Sequence, residues 1–385
     1  MSKIGVVTFD NTIDNYGQVL QYLATQEYLN SLGHKVTLVH PAGIRRTFKR
    51  RVIWKCSSIY LRIKKVLLHR MKIISDEIPV SKFSVEELRK KKMFDQWADV
   101  TLRLERERPR YFEEFRQKYF SRQYGTYDDI IDANYDAYCV GSDQTLSDAG
   151  YHMMLGWTPE KARRFSLAPS VGHRKYEDCE IKTFVPYLKR FDFVTVREDN
   201  GLDLCEKCGY IGAKKILDPT FLLDSSIYDK FAKNKYAGKT YVFVYILGGE
   251  ISIPVKDIIS FCKSNNMDVK YVESQGRDEK IESIPASVGE WLGLVKNASY
   301  VITNSFHGMA FSIIYHKPFV IFPLVGLMEG MNGRINDLAL KLGLQNRIYS
   351  DSLDLIKESI DWGRIDCIIE DNRNTVRTLL RNIGL

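Results

Sequence analysis

Residues 300–311 read YVITNSFHGMAF, an apolar strand that runs to Thr303 and gives way to a helix within a few residues. A turn of that kind exposes unpaired N–H groups at the positive end of a helix, a ready place for an anion. Within it, Asn304 and Ser305 offer polar side chains, and Phe306 and His307 follow. His307 can take up or give a proton near neutral pH, and Gly308 lets a ligand or neighbouring backbone approach closely. A His307 that merely caps and packs the first turn would use the same letters.

Three further strand tips carry polar clusters. After the first strand comes DNTIDNYGQ, with Asp14, Asn15, Tyr16 and Gly17 facing a cleft by topology and Gly17 opening a helix; an ordinary βα turn is the alternative. After Ala137–Val140 come Gly141, Ser142, Asp143 and Gln144. Asp143 and Gln144 suit sugar hydroxyls, and Asp143 could take a hydroxyl proton, unless an Asx-turn only ends the strand. After Phe193–Val196 stands Arg197, whose planar fork matches a carboxylate or phosphate; Glu198 or Asp199 could instead hold it in a structural ion pair. Arg334, in the glycine-containing loop Met331–Ile335, is a second candidate anion clamp or a plain surface arginine.

Strand tips are useful only if parallel sheets align them. The pattern strand, loop, amphipathic helix Gly17–Leu32, C-capping Gly33, strand Lys35–Val39 is a βαβ opening. Buried strands are expected at Ala137–Val140, Phe165–Ala168, Phe193–Val196 and Lys215–Leu217, before Asp218-Pro219-Thr220 breaks the chain. The stretch from there to Lys239 reads as a linker. A second set follows: strands Tyr241–Ile246, Asp268–Val272, Tyr300–Ile302 and Phe319–Phe322, with helices Pro254–Asn265, Val288–Asn297, His307–Tyr315 and Ile335–Leu342. The expected architecture is α/β, two Rossmann-like domains facing across a cleft in a GT-B-like arrangement. Residues 1–220 are expected to form the first domain, with a helical insertion over 42–122. Residues 239–345 are expected to form the second domain, and 346–385 are helices that could cross back to the first.

At 385 residues with 44% hydrophobic and 27% charged content, the chain is globular and long enough for two domains. The N-terminus lacks a signal-peptide pattern and no run is long enough to span a bilayer, so a cytoplasmic protein is expected. Seven scattered cysteines with a single C-x-x-C, Cys205 and Cys208, point to no metal site. The net charge of +8 is concentrated in residues 45–74, which hold eleven Lys/Arg and no acid, interleaved with Trp54, Tyr60 and aliphatics. Such a segment could lie on an anionic membrane surface, or fold as a solvated helical hairpin. No nucleic-acid motif accompanies the charge.

Taken in order, Asn15-Tyr16-Gly17 with Leu20-Gln21, Val140–Gln144, Ser166–Gly172, Val196-Arg197-Glu198, Asp218-Pro219-Thr220 and Asn304–Gly308 resemble the polysaccharide pyruvyl transferase family over residues 3–40 and 110–345. The resemblance implies phosphoenolpyruvate as donor, no further cofactor, and a hexose of a surface polysaccharide, or of its lipid-linked precursor, as acceptor. It puts Arg197 and the Ser305-Phe306-His307 turn, with Asn304, Gly308 and Arg334, at the donor. His307 and Asp143 become the candidate catalytic pair, and Asp14, Asn15, Tyr16, Gly17, Ser142 and Gln144 the acceptor side. Some members carry arginine where Ser305 stands, which gives Arg334 more weight. Many continue past the Gly141–Gln144 motif with tryptophan and asparagine, where this chain has Thr145-Leu146-Ser147. A nucleotide-sugar glycosyltransferase, or a non-catalytic glycan-binding member, would share the architecture.

Overall fold

The computed structural model describes residues 1–42, 85–146, 151–172, 176, 178–248, 252–274, 276–278 and 281–385. The basic segment 45–74, with its expected membrane contact, lies outside the described residues.

The first half is a five-stranded parallel sheet of β1 (Lys3–Val7), β2 (Lys35–Pro41), β3 (Arg122–Gly125), β4 (Ala137–Val140) and β5 (Arg163–Ser166), ordered β3-β2-β1-β4-β5. That is the Rossmann order, with its switch point between β1 and β4. A short parallel pair, β6 (Thr195–Val196) and β7 (Lys214–Lys215), continues from β5 through a bridge between Phe165 and Phe193. The second half is a four-stranded parallel sheet of β8 (Tyr241–Leu247), β9 (Asp268–Ser274), β10 (Tyr300–Thr303) and β11 (Phe319–Ile321), ordered β11-β10-β8-β9. Its switch point falls between β8 and β10. Both halves are doubly wound, and a ligand belongs in the crevice outside the carboxyl ends of their strands.

The helices used below are α1 (Tyr16–Ser31), α2 (Val85–Glu107), α3 (Phe112–Tyr119), α4 (Asp178–Leu188), α5 (Asp199–Lys207), α6 (Val255–Ser264), α7 (Val288–Asn297), α8 (Phe306–Ile314), α9 (Asn332–Leu342) and α10 (Trp362–Asn382). Helix α1 is buried along most of its length, and Gly33 follows it at φ 88°, the left-handed C-cap conformation. Helix α7 starts on a capping box, Ser287 with Glu290, as its sequence dictates. In the first-half core the Cys205 and Cys208 thiols of the α5 region are buried. Burial pushes both up, Cys205 to about 12, which suits inert thiols.

Two stretches differ from expectation. Strand β3, RQYG, is too polar to read as a strand, yet it pairs with β2 at the sheet edge, where one face and one side stay in solvent. The stretch from Pro219, expected as linker, opens with a wholly buried 3₁₀ turn, Pro219–Leu222, because Asp218 caps it and Tyr228 donates to the Thr220 carbonyl. Helix α10 closes over this turn: Asn372 accepts from the Leu217 N–H at 2.8 Å, and Arg373 donates to the Phe221 and Leu223 carbonyls. The chain's tail thus returns to the first half.

Candidate active site

The site is assembled where the two switch points meet. On the first half, the Thr8 hydroxyl donates to the Ser142 carbonyl, joining the tips of β1 and β4. On the second, Asn304 accepts from the Leu247 N–H at 2.7 Å and donates back to its carbonyl at 2.9 Å, joining the tips of β10 and β8. Both groups of the Asn304 amide are therefore engaged in positioning the turn. Ser305 is the N-cap of α8 and accepts from the Gly308 N–H. Gly308 is required here, since a Cβ would sit 2.4 Å from the Thr303 hydroxyl.

The centre is Asp218, which is fully buried. Its Oδ2 accepts from Arg197 Nη1 at 2.7 Å and from the Ser142 hydroxyl at 3.0 Å, and His307 Nε2 lies 3.6 Å away. Its Oδ1 accepts the Thr220 N–H and hydroxyl. Burial alone would push this carboxyl up, but His307, Arg197 and the Thr220 N–H outweigh it and hold it well below the usual carboxylate range. The guanidinium of Arg197 lies over the Phe306 ring, 4.6 Å from its centroid. Burial would weaken this cation, yet Asp218, then Glu198 and Asp143, keep it above its ordinary value. Glu198 is itself held, its Oε1 accepting from Ser170 and from the Val171 and Gly172 N–H groups. At Arg334 the same carboxylates, Glu198, Asp143 and Asp218, do not outweigh the opposing effects. Burial and the charge of Arg197 pull its guanidinium down to about 10.

His307 reaches this cluster because the first turn of the facing helix α1 carries glycine at position 17. A Cβ on Gly17 would lie 1.9 Å from His307 Nδ1. With Nε2 turned to Asp218, Nδ1 is the nitrogen on the first-half side, beside the N-terminus of α1. Gly17→Ala improves helix propensity by about 1 kcal/mol yet must displace the imidazole. It is expected to lower turnover about 10²-fold, the order associated with a 1 Å misplacement, with near-normal circular dichroism. Wild-type kcat in that variant would contradict the placement of His307.

The remaining predicted residues divide. Asp143, at φ 69° in the left-handed region, is buried at the β4 tip and accepts from Gln18 Nε2 at 2.9 Å. Such backbone strain in a non-glycine residue is typical of functional sites. Gln144 reaches across the crevice to the Met331 sulfur at 3.2 Å, and Arg334 Nη2 approaches the same atom at 3.1 Å. Asn15 caps α1 through Gln18. Asp14 lies on the far side of the loop, with the Thr12 and Thr101 hydroxyls on its carboxylate and Ser274 on its carbonyl. Tyr16 is wholly buried between the halves rather than in the open crevice: it stacks on Trp291 at 5.3 Å and donates to the Ala286 carbonyl at 2.6 Å. Tyr16→Phe, which strands that carbonyl, is expected to cost about 1–3 kcal/mol in denaturant unfolding, with ligand binding kept. Asp218 and Glu198 are the residues that the sequence reading did not place in the site. Their signal was the DPT turn and an acid following Arg197.

Two parallel α/β halves with facing switch points define the GT-B-like arrangement, in which a ligand belongs between the carboxyl ends of the strands. The chain belongs to the polysaccharide pyruvyl transferase family: the model of that family, described as Polysaccharide pyruvyl transferase, matches residues 15–324, and the protein is accordingly a transferase. Comparison with the curated proteins finds no match. Among solved structures it is similar to UDP-N-acetylglucosamine 2-epimerase from Rickettsia bellii, at 12% identity and TM-score 0.47, covering 99% of this chain and 96% of that one. It is also similar to UDP-GlcNAc 2-epimerase from Neisseria meningitidis bound to UDP-GlcNAc, at 11% identity and TM-score 0.47, covering 99% and 100%. Among the described residues no helix is long and apolar enough to cross a membrane, and no group of His, Cys, Asp or Glu is placed to hold a metal ion.

Proposed function

We propose that this chain transfers the pyruvyl group of phosphoenolpyruvate to a hexose of a surface polysaccharide or its lipid-linked precursor, on the cytoplasmic side, closing a cyclic ketal and releasing phosphate. One observation carries the reading. Arg197 Nη2 and Arg334 Nε are buried without a hydrogen-bond partner among the described residues, and so are Arg197 Nε and Glu198 Oε2, which face each other at 3.6 Å, and His307 Nε2, which faces Asp218 at 3.6 Å. Folded proteins rarely leave such groups unmet, and here they share one cluster. Unmet guanidinium N–H groups beside a histidine suit a small ligand with a carboxylate and a phosphate. The Met331 thioether, a weak acceptor, is readily replaced by a ligand oxygen at Arg334 and Gln144.

The reaction follows from the residue types. A proton from His307 goes to the methylene carbon of the donor, making the adjacent carbon electrophilic. A sugar hydroxyl forms a bond to that carbon and gives up its proton, with Asp143 assisting. The carbon–oxygen bond to phosphate breaks, a second hydroxyl of the same sugar attacks in its place, and its proton leaves with the phosphate. Arg197 and Arg334 bind and orient the anion, while Asp218 holds both Arg197 and the imidazole.

Calorimetric titration tests the donor. Phosphoenolpyruvate is expected to bind the wild type and to bind weakly or not at all after Arg334→Ala. Binding of a UDP-sugar in its place would overturn the reading in favour of a glycosyltransferase. Binding without any phosphate release in the presence of saccharide would favour a non-catalytic role.

A further inference from the structure

A second pocket opens on the first half, on the other side of the loop that follows β1. Its volume is about 390 Å³, and it sits over the carboxyl ends of β1, β2 and β3. That volume is within the range of small-molecule sites, roughly 300–1,000 Å³. At its floor is Asp10, only 5% exposed. Among the described residues no hydrogen bond reaches its carboxylate, and His40 Nε2 is 3.6 Å away and itself unpartnered. Burial pushes the Asp10 carboxyl up against the pull of His40, Arg116 and Arg122, and it pushes the imidazole down.

The walls narrow the ligand class. Tyr124 is 62% exposed, and its ring carries His40 stacked at 4.6 Å and 8°. The Arg122 guanidinium also lies over this ring, 5.8 Å from its centroid, and the rest of the ring is open at the rim. Arg122 spans to Glu113 with hydrogen bonds of 2.7 and 3.2 Å, and Arg116 is tied to Glu113 and to the Asp10 and Thr12 carbonyls. Two arginines thus face two carboxylates, so the pocket favours neither an anion nor a cation. Asn11 adds an amide. Charge-balanced acceptors and donors beside an exposed aromatic ring suit a molecule with many hydroxyls and an apolar C–H face.

We propose that this pocket binds one pyranose ring of a neutral saccharide, with Asp10 and His40 on its hydroxyls and Tyr124 against its C–H face. It is a site apart from the Asp218 cluster. The choice of a sugar rests on the reading of the chain as a glycan-modifying transferase; the pocket itself does not. Both open at carboxyl ends of the first sheet, so a glycan chain bound here would extend towards the crevice.

Saturation-transfer NMR with the methyl pyranosides of glucose, galactose, mannose and N-acetylglucosamine, without donor, tests the proposal. At least one should bind the full-length wild type. Tyr124→Ala and Asp10→Asn should each weaken it about tenfold or more, Tyr124→Phe should restore it, and His307→Gln should leave it unchanged. Tyr124 is exposed, so its variants are expected to fold, and phosphoenolpyruvate titration of each variant reports the integrity of the other site. No signal from any of the four sugars, or equal binding by Tyr124→Ala, would overturn the proposal, as would displacement by inorganic phosphate. Because the readout is sugar binding alone, failure of pyruvyl transfer would leave this result standing, and the reverse also holds.

Discussion

His307→Gln is expected to lower kcat by about 10²–10⁴-fold, the usual worth of a positioned proton-transfer group, while the protein stays folded. Glutamine fills much of the imidazole's volume and can still point an amide at Asp218, but it cannot carry a proton between donor and solvent. The loss should fall on kcat, with phosphoenolpyruvate binding changed little, because Arg197 and Arg334 supply the anion contacts. His307 is buried against Gly17 and Phe306 and lies within 3.6 Å of Asp218, so a thermal melt must accompany the kinetics. A folded variant with wild-type kcat would remove His307 from the mechanism.

Arg197→Met is expected to be damaging twice over. Methionine keeps the side chain's length and packing on Phe306 but deletes the charge that meets Asp218 at 2.7 Å. Removing one partner of a buried pair strands the other, at about 3–5 kcal/mol. Turnover should disappear with the donor clamp, and the denaturant midpoint should fall. The same pairing predicts an acid limb for the wild type. The folded-state pKa of Asp218 is held below its ordinary value of 3.8, so its stabilising contribution is fully present above about pH 4. It is lost as the pH falls below that towards the folded value. In Arg197→Met this acid-dependent part of stability should shrink. An unshifted midpoint and an unchanged acid limb would show that the pair contributes nothing to the fold.

Much of this arrangement was legible because strong periodic patterns fix it. Helix α7 and strand β4 fall where apolar spacing and caps place them, and α8 begins one residue before His307 because Ser305 takes the cap. The strand tips were readable as sites for the same reason: parallel sheets put polar residues after apolar runs at one edge. Less visible was whatever depends on contacts distant in sequence. Asp218 looked like a chain breaker, since nothing local reveals that it will meet Arg197, Ser142 and His307. Tyr16 belongs to the family's motif, yet its ring is core because Trp291 and Tyr245 come from the other half. Strand β3 hid because an edge strand need not be apolar, and with it hid the pocket built on Tyr124.

The fate of the donor's three carbons distinguishes pyruvyl transfer from every other outcome. Incubating the protein with phosphoenolpyruvate and a saccharide acceptor, followed by mass spectrometry of the acceptor and assay of phosphate, reads this directly. The expected result is one phosphate released for each acceptor that gains a pyruvate less one water, with both signals lost in His307→Gln. Phosphate released alongside free pyruvate and an unmodified acceptor, or no phosphate with any saccharide, would contradict it.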